Sequence, residues 1–304
     1  MPISTSQADA SGRTHNPKLG VPLLLAAGFF LTANDAAIKW VTGSLPVGEI
    51  MFIRGVFSLL MILIYVVAVP GLKELRIVNF GGQAVRASSM LVSISFYISG
   101  LQYLQLADQI TASFTTPFFI ALLARPLLGE EVGLQRWLAI TIGFVGVVIL
   151  LRPSTSGIHW AILLPLGAAL SSALRDVITR RISLTETSLA MLFYTSVFEL
   201  VGGLATLPFG WVVPSLETVA LTGLASTLFL TAQFLTIEAF RNAQAAVIAP
   251  FRYALLIWGT LWGLVIWGDL PDAWTLVGAS AIISSGLYLF YRETRGSRTR
   301  TTSR

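Results

Sequence analysis

The sequence contains no cysteine and only two histidines, His15 and His159, among its 304 residues. Without thiols there are no disulfides, no thiolate metal ligands and no cysteine nucleophile. Charge is scarce as well, because charged residues make up 12% of the chain and hydrophobic residues 55%. Soluble domains carry roughly 25% charged residues. The composition therefore excludes a soluble globular protein and indicates an integral membrane protein.

Motifs for catalysis and nucleotide binding are also missing. No GxSxG, HExxH or GxxxxGK[ST] pattern occurs in the sequence, so it predicts no enzyme, no ATP-driven pump, no metal site and no cofactor. The formal net charge is +5, but the basic residues are scattered over loop ends and a tail. A nucleic-acid partner would require them to form one patch, and we therefore expect none.

Long apolar runs occupy most of the chain. Each is about as long as the 20 residues that a helix needs to cross the hydrocarbon core of a bilayer. Short polar connections separate them, which makes consecutive helices antiparallel neighbours. We therefore predict an all-α integral membrane protein of ten transmembrane helices. The predicted spans are 20–41, 47–69, 83–103, 107–128, 134–151, 159–180, 187–208, 218–238, 243–267 and 272–291.

Lysine and arginine placement predicts the orientation, because these residues are enriched in cytoplasmic loops. Ten spans put both termini on one side of the membrane. If that side is the cytoplasm, nearly all basic residues lie inside, and only Arg152 and the helix-end Lys39 lie outside. The polar N-terminal tail (1–19), which shows no signal-peptide pattern, and the basic C-terminal tail (292–304) are then both cytoplasmic.

When the chain is aligned with itself, two stretches of its first half match two stretches of its second half. The match around Asp35 places it over Asp176, and a second match places Pro117 over Pro250. Recurrence of the same residue types in the same order indicates an internal duplication.

The predicted halves are residues 20–151 and 159–291, with five spans in each. An odd number of spans inverts the second copy, so the repeats are related by a pseudo-twofold axis in the membrane plane. Secondary transporters use this symmetry to expose a midplane site to either side in turn. Duplication as an economical way to build a large helical bundle is the alternative.

Several stretches resemble a known family. The long segments that start at Ala112 and Ala246 resemble the drug/metabolite transporter superfamily, in its ten-helix branch with two EamA-type repeats. The TAND motif at Thr32–Asp35, LRD at Leu174–Asp176 and MLFYTS at Met191–Ser196 are similar to a bacterial branch that contains S-adenosylmethionine uptake carriers. Related branches carry riboflavin, amino acids or opine-type metallophores.

The resemblance implies a secondary transporter in the bacterial inner membrane. It would move a small amphipathic or zwitterionic metabolite by alternating access, as a monomer or homodimer in the lipid bilayer. An exporter of aromatic amino acids or metallophores with the same fold is an alternative. A non-transporting membrane scaffold and an intramembrane enzyme are further alternatives.

Ionisable residues inside the first two spans are candidates for the binding site, because a charge in the bilayer needs a partner, a wet cavity or a substrate. Asn34 and Asp35 fall well inside span one, and Lys39 lies one turn after Asp35, where the two can pair. For Lys39 we therefore expect a gate or a structural ion pair. Arg54 in span two lies at a similar depth and is a second possible partner of Asp35. A helix–helix salt bridge and a cavity-lining role both fit this group.

The second half carries two further sets of charges. Glu199 in span seven and Arg252 in span nine lie near mid-depth, where they could pair with each other or hold the two ends of a zwitterion. Arg175 and Asp176 lie near the cytoplasmic end of span six, where a gate or a structural ion pair is expected.

Two prolines and four aromatic residues complete the predicted site. Pro117 and Pro250 interrupt spans four and nine at matched positions, and the carbonyls they free can face a cavity. Packing kinks without ligand contact fit equally well. The aromatic candidates for stacking on a substrate are Tyr97, Phe114, Phe118 and Tyr253.

Overall fold

The computed structural model describes residues 17–69, 71–128, 160–182, 185–242 and 254–281, together with 141–142, 145, 149, 251, 283–284 and 288. All regular secondary structure in these residues is helical, as predicted. Residues 273–281 are helical as well. The α-helices are α1 (Pro17–Val41), α2 (Val47–Ala68), α3 (Phe80–Tyr103), α4 (Leu106–Ser113), α5 (Thr116–Leu128), α6 (Leu163–Ile182), α7 (Ser188–Leu204), α8 (Leu216–Asn242) and α9 (Ala254–Trp267).

Five segments are long and apolar enough to cross a membrane: Leu19–Val41, Val47–Ala68, Phe80–Tyr103, Trp160–Thr179 and Leu216–Thr236. Helices α7 and α9 are apolar but shorter. Together they make the chain a multi-pass helical membrane protein. The predicted span 134–151 and the first third of the predicted span 243–267 lie almost wholly outside the described residues, so the count of ten remains a prediction.

The fourth predicted span is broken into α4 and α5. Phe114 and Thr115 form a turn between these helices. Pro117 has no N–H to donate to the carbonyl of Ser113, four residues earlier. The hydroxyl of Thr116 donates to this carbonyl instead, at 2.8 Å. The predicted kink is therefore a complete interruption, and a local hydroxyl bonds the carbonyl that the proline leaves free.

Helices from opposite ends of the sequence pack against each other. Helix α1 packs on α8 and α9, α2 packs on α7 and α8, and α3 packs on α6 and α7. The α2–α7 contact depends on glycine, since a Cβ built on Gly55 would lie 2.8 Å from the backbone nitrogen of Leu200. The bundle is thus assembled by contacts between the two halves of the sequence.

Buried and exposed apolar side chains both fit a lipid environment. The core lies where α1 to α4 meet and includes Ile38, Ile50 and Ile98, each at most 1% exposed. Large apolar side chains also cover outward faces, and aromatic residues gather at one end of the bundle, as expected at a membrane interface. These aromatic residues are Trp40, Tyr103, Trp160, Trp211 and Trp267.

Candidate functional site

A buried carboxylate on α1 is hydrogen-bonded to a tyrosine on α3. The Tyr97 hydroxyl donates to Oδ2 of Asp35 at 2.8 Å, and the Asn34 side-chain amide donates to Oδ1 at 2.9 Å. Asp35 is 8% exposed and Asn34 is 2% exposed. Gln109 on α4 donates to the backbone carbonyl of Tyr97 at 2.9 Å. The carboxylate is therefore held between α1 and α3 by uncharged donors.

A buried ion pair connects α2 to α7. The Nε of Arg54 lies 3.2 Å from Oε1 of Glu199, and both side chains are less than one-tenth exposed. The guanidinium of Arg54 also lies over the ring of Phe229 on α8, with 5.2 Å from Cζ to the ring centroid. The ion-pair contact of Arg54 in the described part of the chain is with Glu199 and not with Asp35.

All four of these charged or hydroxyl-bearing residues lie at a similar depth. Arg54 is seven residues after the start of α2, and Glu199 is five residues before the end of α7. Asp35 and Tyr97 each lie six residues before the end of their helices. At 1.5 Å per residue they are about 10 Å below the same end of the bundle. We call Asn34, Asp35, Arg54, Tyr97 and Glu199 the central polar cluster.

Some polar atoms of the central polar cluster have no hydrogen-bond partner in the described part of the chain. They are Oδ1 of Asn34, Nε of Arg54 and Oε1 of Glu199. The close approach of Arg54 to Glu199 is thus a charge contact without hydrogen-bond geometry. Because buried polar groups are normally bonded, these atoms are suited to accept or donate to a bound ligand.

An aromatic group lies further along α1. The ring of Phe29 lies 5.5 Å from that of Trp258 and 5.2 Å from that of Trp262, both on α9. The two buried indole N–H groups have no acceptor among the described residues. Gly28 leaves room for Trp258, because a Cβ at Gly28 would touch that indole at 3.4 Å. The arrangement offers an apolar surface with free donors.

The structure thus brings together five of the predicted site residues, but with different partners from those expected. Arg54 pairs with Glu199 rather than Asp35, because α2 packs on α7 at this depth. Phe118 is buried, and Phe114 packs against the same apolar core as Tyr97. Pro117 lies in the first turn of α5. The predicted residues Pro250, Arg252 and Tyr253 lie outside the described residues.

Lys39 does not pair with Asp35, although helical spacing allows it. Its Nζ lies 3.6 Å from Oδ2 of Asp269, in the connection after α9, and 4.6 Å from the ring centroid of Trp267. The side chain of Lys39 is 14% exposed and that of Asp269 is 29% exposed. This ion pair therefore joins the end of α1 to the end of α9 near the aromatic end of the bundle.

Arg175 and Asp176 form an ion pair on α6, and their role as a gate or as a structural ion pair stays a prediction. The Nη2 of Arg175 lies 2.6 Å from Oδ1 of Asp176, and Nη1 contacts the sulfur of Met90 on α3 at 2.9 Å. Both side chains are partly exposed, at 23% and 38%. The pair is separate from the central polar cluster.

Sequence reasoning did not single out Arg86 on α3. This residue donates to Thr179 on α6 at 2.9 Å, and to the Met191 carbonyl and the Thr195 hydroxyl on α7 at 3.0 and 2.8 Å. It thus joins three helices. Its position inside a predicted span was the signal that could have identified it, since ionisable residues are rare there.

Two further carboxylates connect the halves at opposite ends of the bundle. Glu49, in the first turn of α2, accepts a hydrogen bond from the backbone N–H of Val212 at 3.1 Å. Glu186, before α7, accepts from the backbone N–H groups of Val78 and Asn79 at 3.0 and 2.7 Å. Both glutamates are buried. Each therefore fixes the connection that precedes a helix of the other half.

No cluster of three or more histidine, cysteine, aspartate or glutamate side chains suited to a metal ion occurs in the part of the chain that the structure describes. The central polar cluster instead combines a carboxylate, an ion pair and uncharged donors.

Sequence comparisons identify the family. Residues 18–152 match the EamA-like transporter family. The chain is 31% identical over 284 residues to a riboflavin transporter of Rhizobium johnstonii, covering 92% of this chain and 93% of that protein. It is 29% identical over 275 residues to an S-adenosylmethionine uptake transporter of Rickettsia bellii, covering 90% and 94%. A pseudopaline exporter of Pseudomonas aeruginosa is 26% identical over 277 residues, covering 88% and 94%.

A solved crystal structure has the same fold. It superposes with a TM-score of 0.63 at 16% sequence identity and covers 91% of this chain and 98% of its own. Identity at that level carries the fold alone. The relatives are all transporters of small molecules and match this chain over nearly its whole length. The chain therefore belongs to the EamA-like transporter family of the drug/metabolite transporter superfamily, and is a membrane transporter of small molecules rather than an enzyme.

Proposed function

We propose that this protein is a secondary transporter of the bacterial inner membrane that carries a small amphipathic or zwitterionic metabolite by alternating access. The central polar cluster is its substrate site. The observation that carries this proposal is the Arg54–Glu199 pair, which is buried between two halves of the chain while Nε and Oε1 remain without hydrogen bonds. A zwitterion carries charges of both signs, and the central polar cluster offers carboxylates and a guanidinium to bind them.

The packing of the helices supports the arrangement as two inverted five-helix repeats. If α1, α2 and α3 correspond to α6, α7 and α8, the α1–α8 contact corresponds to the α6–α3 contact. The α2–α7 contact then corresponds to itself and lies on the pseudo-twofold axis. These are the helix pairs that pack most extensively. Ten spans with cytoplasmic termini fit this symmetry and the distribution of basic residues.

The two glutamate contacts at opposite ends of the bundle support alternating access. Glu49 bonds the connection before α8, and Glu186 bonds the connection before α3. These two helices are related by the proposed symmetry. Opening the bundle at one end requires one glutamate contact to break, while the contact at the other end holds the halves together. Each contact is thus suited to close one entrance.

The relatives define the substrates to test and leave two directions of transport. Two carry out uptake or transport of S-adenosylmethionine and riboflavin, and one exports pseudopaline. Because these molecules share an amphipathic character rather than a scaffold, we propose the substrate class and not one compound. Export of aromatic amino acids or metallophores is the second candidate, on the basis of the exporter relative.

Transport by the purified protein in liposomes tests the proposal. The substrates are labelled S-adenosylmethionine, riboflavin, aromatic amino acids and an opine-type chelator. We expect wild-type protein to move at least one of them, and Arg54→Gln or Glu199→Gln to reduce its flux at least about tenfold, because each leaves a buried charge unpaired.

Matched controls are Arg181→Gln and Glu217→Gln, which change exposed side chains of the same types. Size-exclusion chromatography checks that each variant is folded. Unchanged flux in both site variants would contradict the assignment of the site. No flux of any compound through wild-type protein would contradict the assignment of the substrate class.

A further inference from the structure

We propose that Asp35 and Asn34 bind the primary ammonium group of the substrate, and that Phe29, Trp258 and Trp262 hold an aromatic or heteroaromatic ring at its other end. This inference rests on the proposed transport function and specifies its substrate class. The substrate would be an amine whose ring lies about 10 Å from its nitrogen, by the spacing of these residues along α1.

Asp35 is the buried carboxylate of the central polar cluster for which no described residue supplies a cation at ion-pair distance. The ion pairs Lys39 with Asp269, Arg54 with Glu199, and Arg175 with Asp176 each join a cation to a carboxylate other than Asp35. Asp35 instead accepts hydrogen bonds from a phenol and an amide. These bonds orient the carboxylate but do not neutralise it, and an unneutralised buried charge is costly. A cationic ligand removes that cost.

The free acceptor next to Asp35 favours an ammonium group over other cations. Because a carboxylate only accepts hydrogen bonds, the amide NH2 of Asn34 must face Asp35, and this fixes which atom of Asn34 is Oδ1. That oxygen is buried and has no donor among the described residues. A carboxylate and a neighbouring carbonyl together suit a group with three N–H donors. Quaternary ammonium groups lack the donors that Oδ1 needs.

The carboxylate also has room for another donor. Each oxygen of Asp35 accepts one described side-chain hydrogen bond, from Tyr97 or Asn34. A carboxylate offers about four acceptor positions, so about two are open. Arg54 lies at a depth similar to that of Asp35, and its Nε, which has no hydrogen bond among the described residues, is suited to a carboxylate of the same substrate. An α-amino acid head group matches both charges.

Trp258 of the aromatic group lies against the face of α1 that carries Asp35. Gly28 precedes Asp35 by seven residues, which is two helical turns and brings both onto one face. Trp258 packs directly on Gly28, and Phe29 contacts both indoles. The unbonded indole N–H groups favour a ring that carries hydrogen-bond acceptors, such as a nitrogen heterocycle. Aromatic stacking contributes the remaining affinity.

Compounds that differ in their amine test this inference. Proteoliposomes containing the full chain are assayed for uptake of labelled S-adenosylmethionine, its deaminated 2-oxo analogue, tryptophan and riboflavin. S-adenosylmethionine and its 2-oxo analogue form a matched pair, because they share the ring and its spacing from the head group and only the first carries an amine. We expect wild-type protein to carry at least one amine-bearing compound and to carry the amine-free compounds at least about tenfold more slowly, since a hydrogen-bonded charge is lost.

Variants identify the residues responsible. Asp35→Asn is expected to lower uptake of the amine-bearing compound at least about tenfold, since the hydrogen-bonding shape is kept but the charge is removed. Tyr97→Phe keeps the charge and releases one oxygen, so we expect KM to rise several-fold with kcat nearly unchanged. Tyr65→Phe is the control, because Tyr65 is half exposed on α2. Tyr97→Phe also serves if Asp35→Asn does not fold.

Four outcomes decide between the proposals. Preference for amines that Asp35→Asn abolishes supports the inference. Measurable and equal uptake of S-adenosylmethionine and its 2-oxo analogue, or transport of riboflavin as the sole substrate, overturns the inference and leaves the transport function standing. Amine uptake unchanged in both Asp35→Asn and Tyr97→Phe also overturns it. Wild-type protein that moves none of the four compounds counts against the proposed function, and against this inference with it.

Discussion

The guanidinium of Arg54 on α2 lies 3.2 Å from the carboxylate of Glu199 on α7, and this buried ion pair connects two helices that are far apart in sequence. Helix α2 can approach α7 closely because Gly55 and Gly203 lie at their contact. The charges are thus brought together by the packing of small residues. Four sets of measurements test these contacts and others between the helices.

Removing one partner of the buried pair should destabilise the protein strongly. We expect Arg54→Met or Glu199→Gln to lower the free energy of unfolding by about 3–5 kcal/mol, because the other charge is left buried and unpaired. The double variant Arg54→Met/Glu199→Leu should lose less free energy of unfolding than either single variant, because no buried charge is left unpaired. Unfolding titrations in mixed micelles measure these differences. Arg181→Met, at an exposed position, should change the free energy by less than about 0.5 kcal/mol.

A methyl group at the α2–α7 contact should also be destabilising. A Cβ at position 55 would lie 2.7 Å from the Cβ of Leu200 and 2.8 Å from its backbone nitrogen. We expect Gly55→Ala to lower the free energy of unfolding by about 1–3 kcal/mol, since backbone must move. Gly43→Ala is the matched control, because its Cβ would meet only the Trp40 carbonyl, at 3.5 Å. Equal stability of both variants would contradict this packing.

The ion pair at the end of α1 should contribute little to the free energy of unfolding. Lys39 and Asp269 are both partly exposed, and such pairs contribute about 0–1 kcal/mol. We expect Asp269→Asn to lower the free energy of unfolding by no more than about 1 kcal/mol, and the loss to shrink at high salt. A loss as large as that of Glu199→Gln would show that Lys39 is effectively buried.

The two glutamate contacts should have opposite effects on access to the central polar cluster. Because the chain lacks cysteine, Ser196→Cys, one turn from Glu199, provides a single labelling site. We expect Glu186→Gln in this background to speed maleimide labelling from the side of Glu186, and Glu49→Gln to speed it from the other side. Vesicles of each orientation with a membrane-impermeant maleimide measure both rates.

The control for this experiment is Glu217→Gln, which changes an exposed carboxylate near the start of α8. It should leave both labelling rates unchanged. If Glu186→Gln and Glu49→Gln speed labelling from the same side, the two contacts do not close opposite entrances. Equal rates in all variants would mean that neither contact limits access.

Local sequence patterns singled out all five members of the central polar cluster but did not indicate which residues each of them contacts. Asp35, Arg54 and Glu199 are visible in the sequence because each interrupts a long apolar run. Helical spacing then favours Lys39 as the partner of Asp35, since this is the only nearby charge that the sequence places on the same face. In the structure Lys39 forms an ion pair with Asp269, and the Tyr97 hydroxyl donates a hydrogen bond to Asp35. These partners come from helices that touch only after folding.

The break between α4 and α5 also has one feature that the sequence predicts and another that only the structure shows. Pro117 predicts a kink, because its nitrogen cannot donate to the carbonyl of Ser113. Whether that carbonyl faces a cavity or finds a local donor depends on the rotamer of Thr116, and the structure selects the local donor. Residue identity thus located the irregularity, and side-chain geometry decided its form.

The sequence by itself determined that this chain is a multi-pass helical membrane protein and that a few buried polar groups must be accommodated. Hydrophobic run length and the high cost of charge in lipid are properties of single segments, and they can be read without a fold. Only the tertiary structure decided that Arg54 pairs with Glu199 and that the described hydrogen-bond donors to Asp35 are uncharged. Such pairing depends on which helices pack together and at what depth, and no local pattern records either.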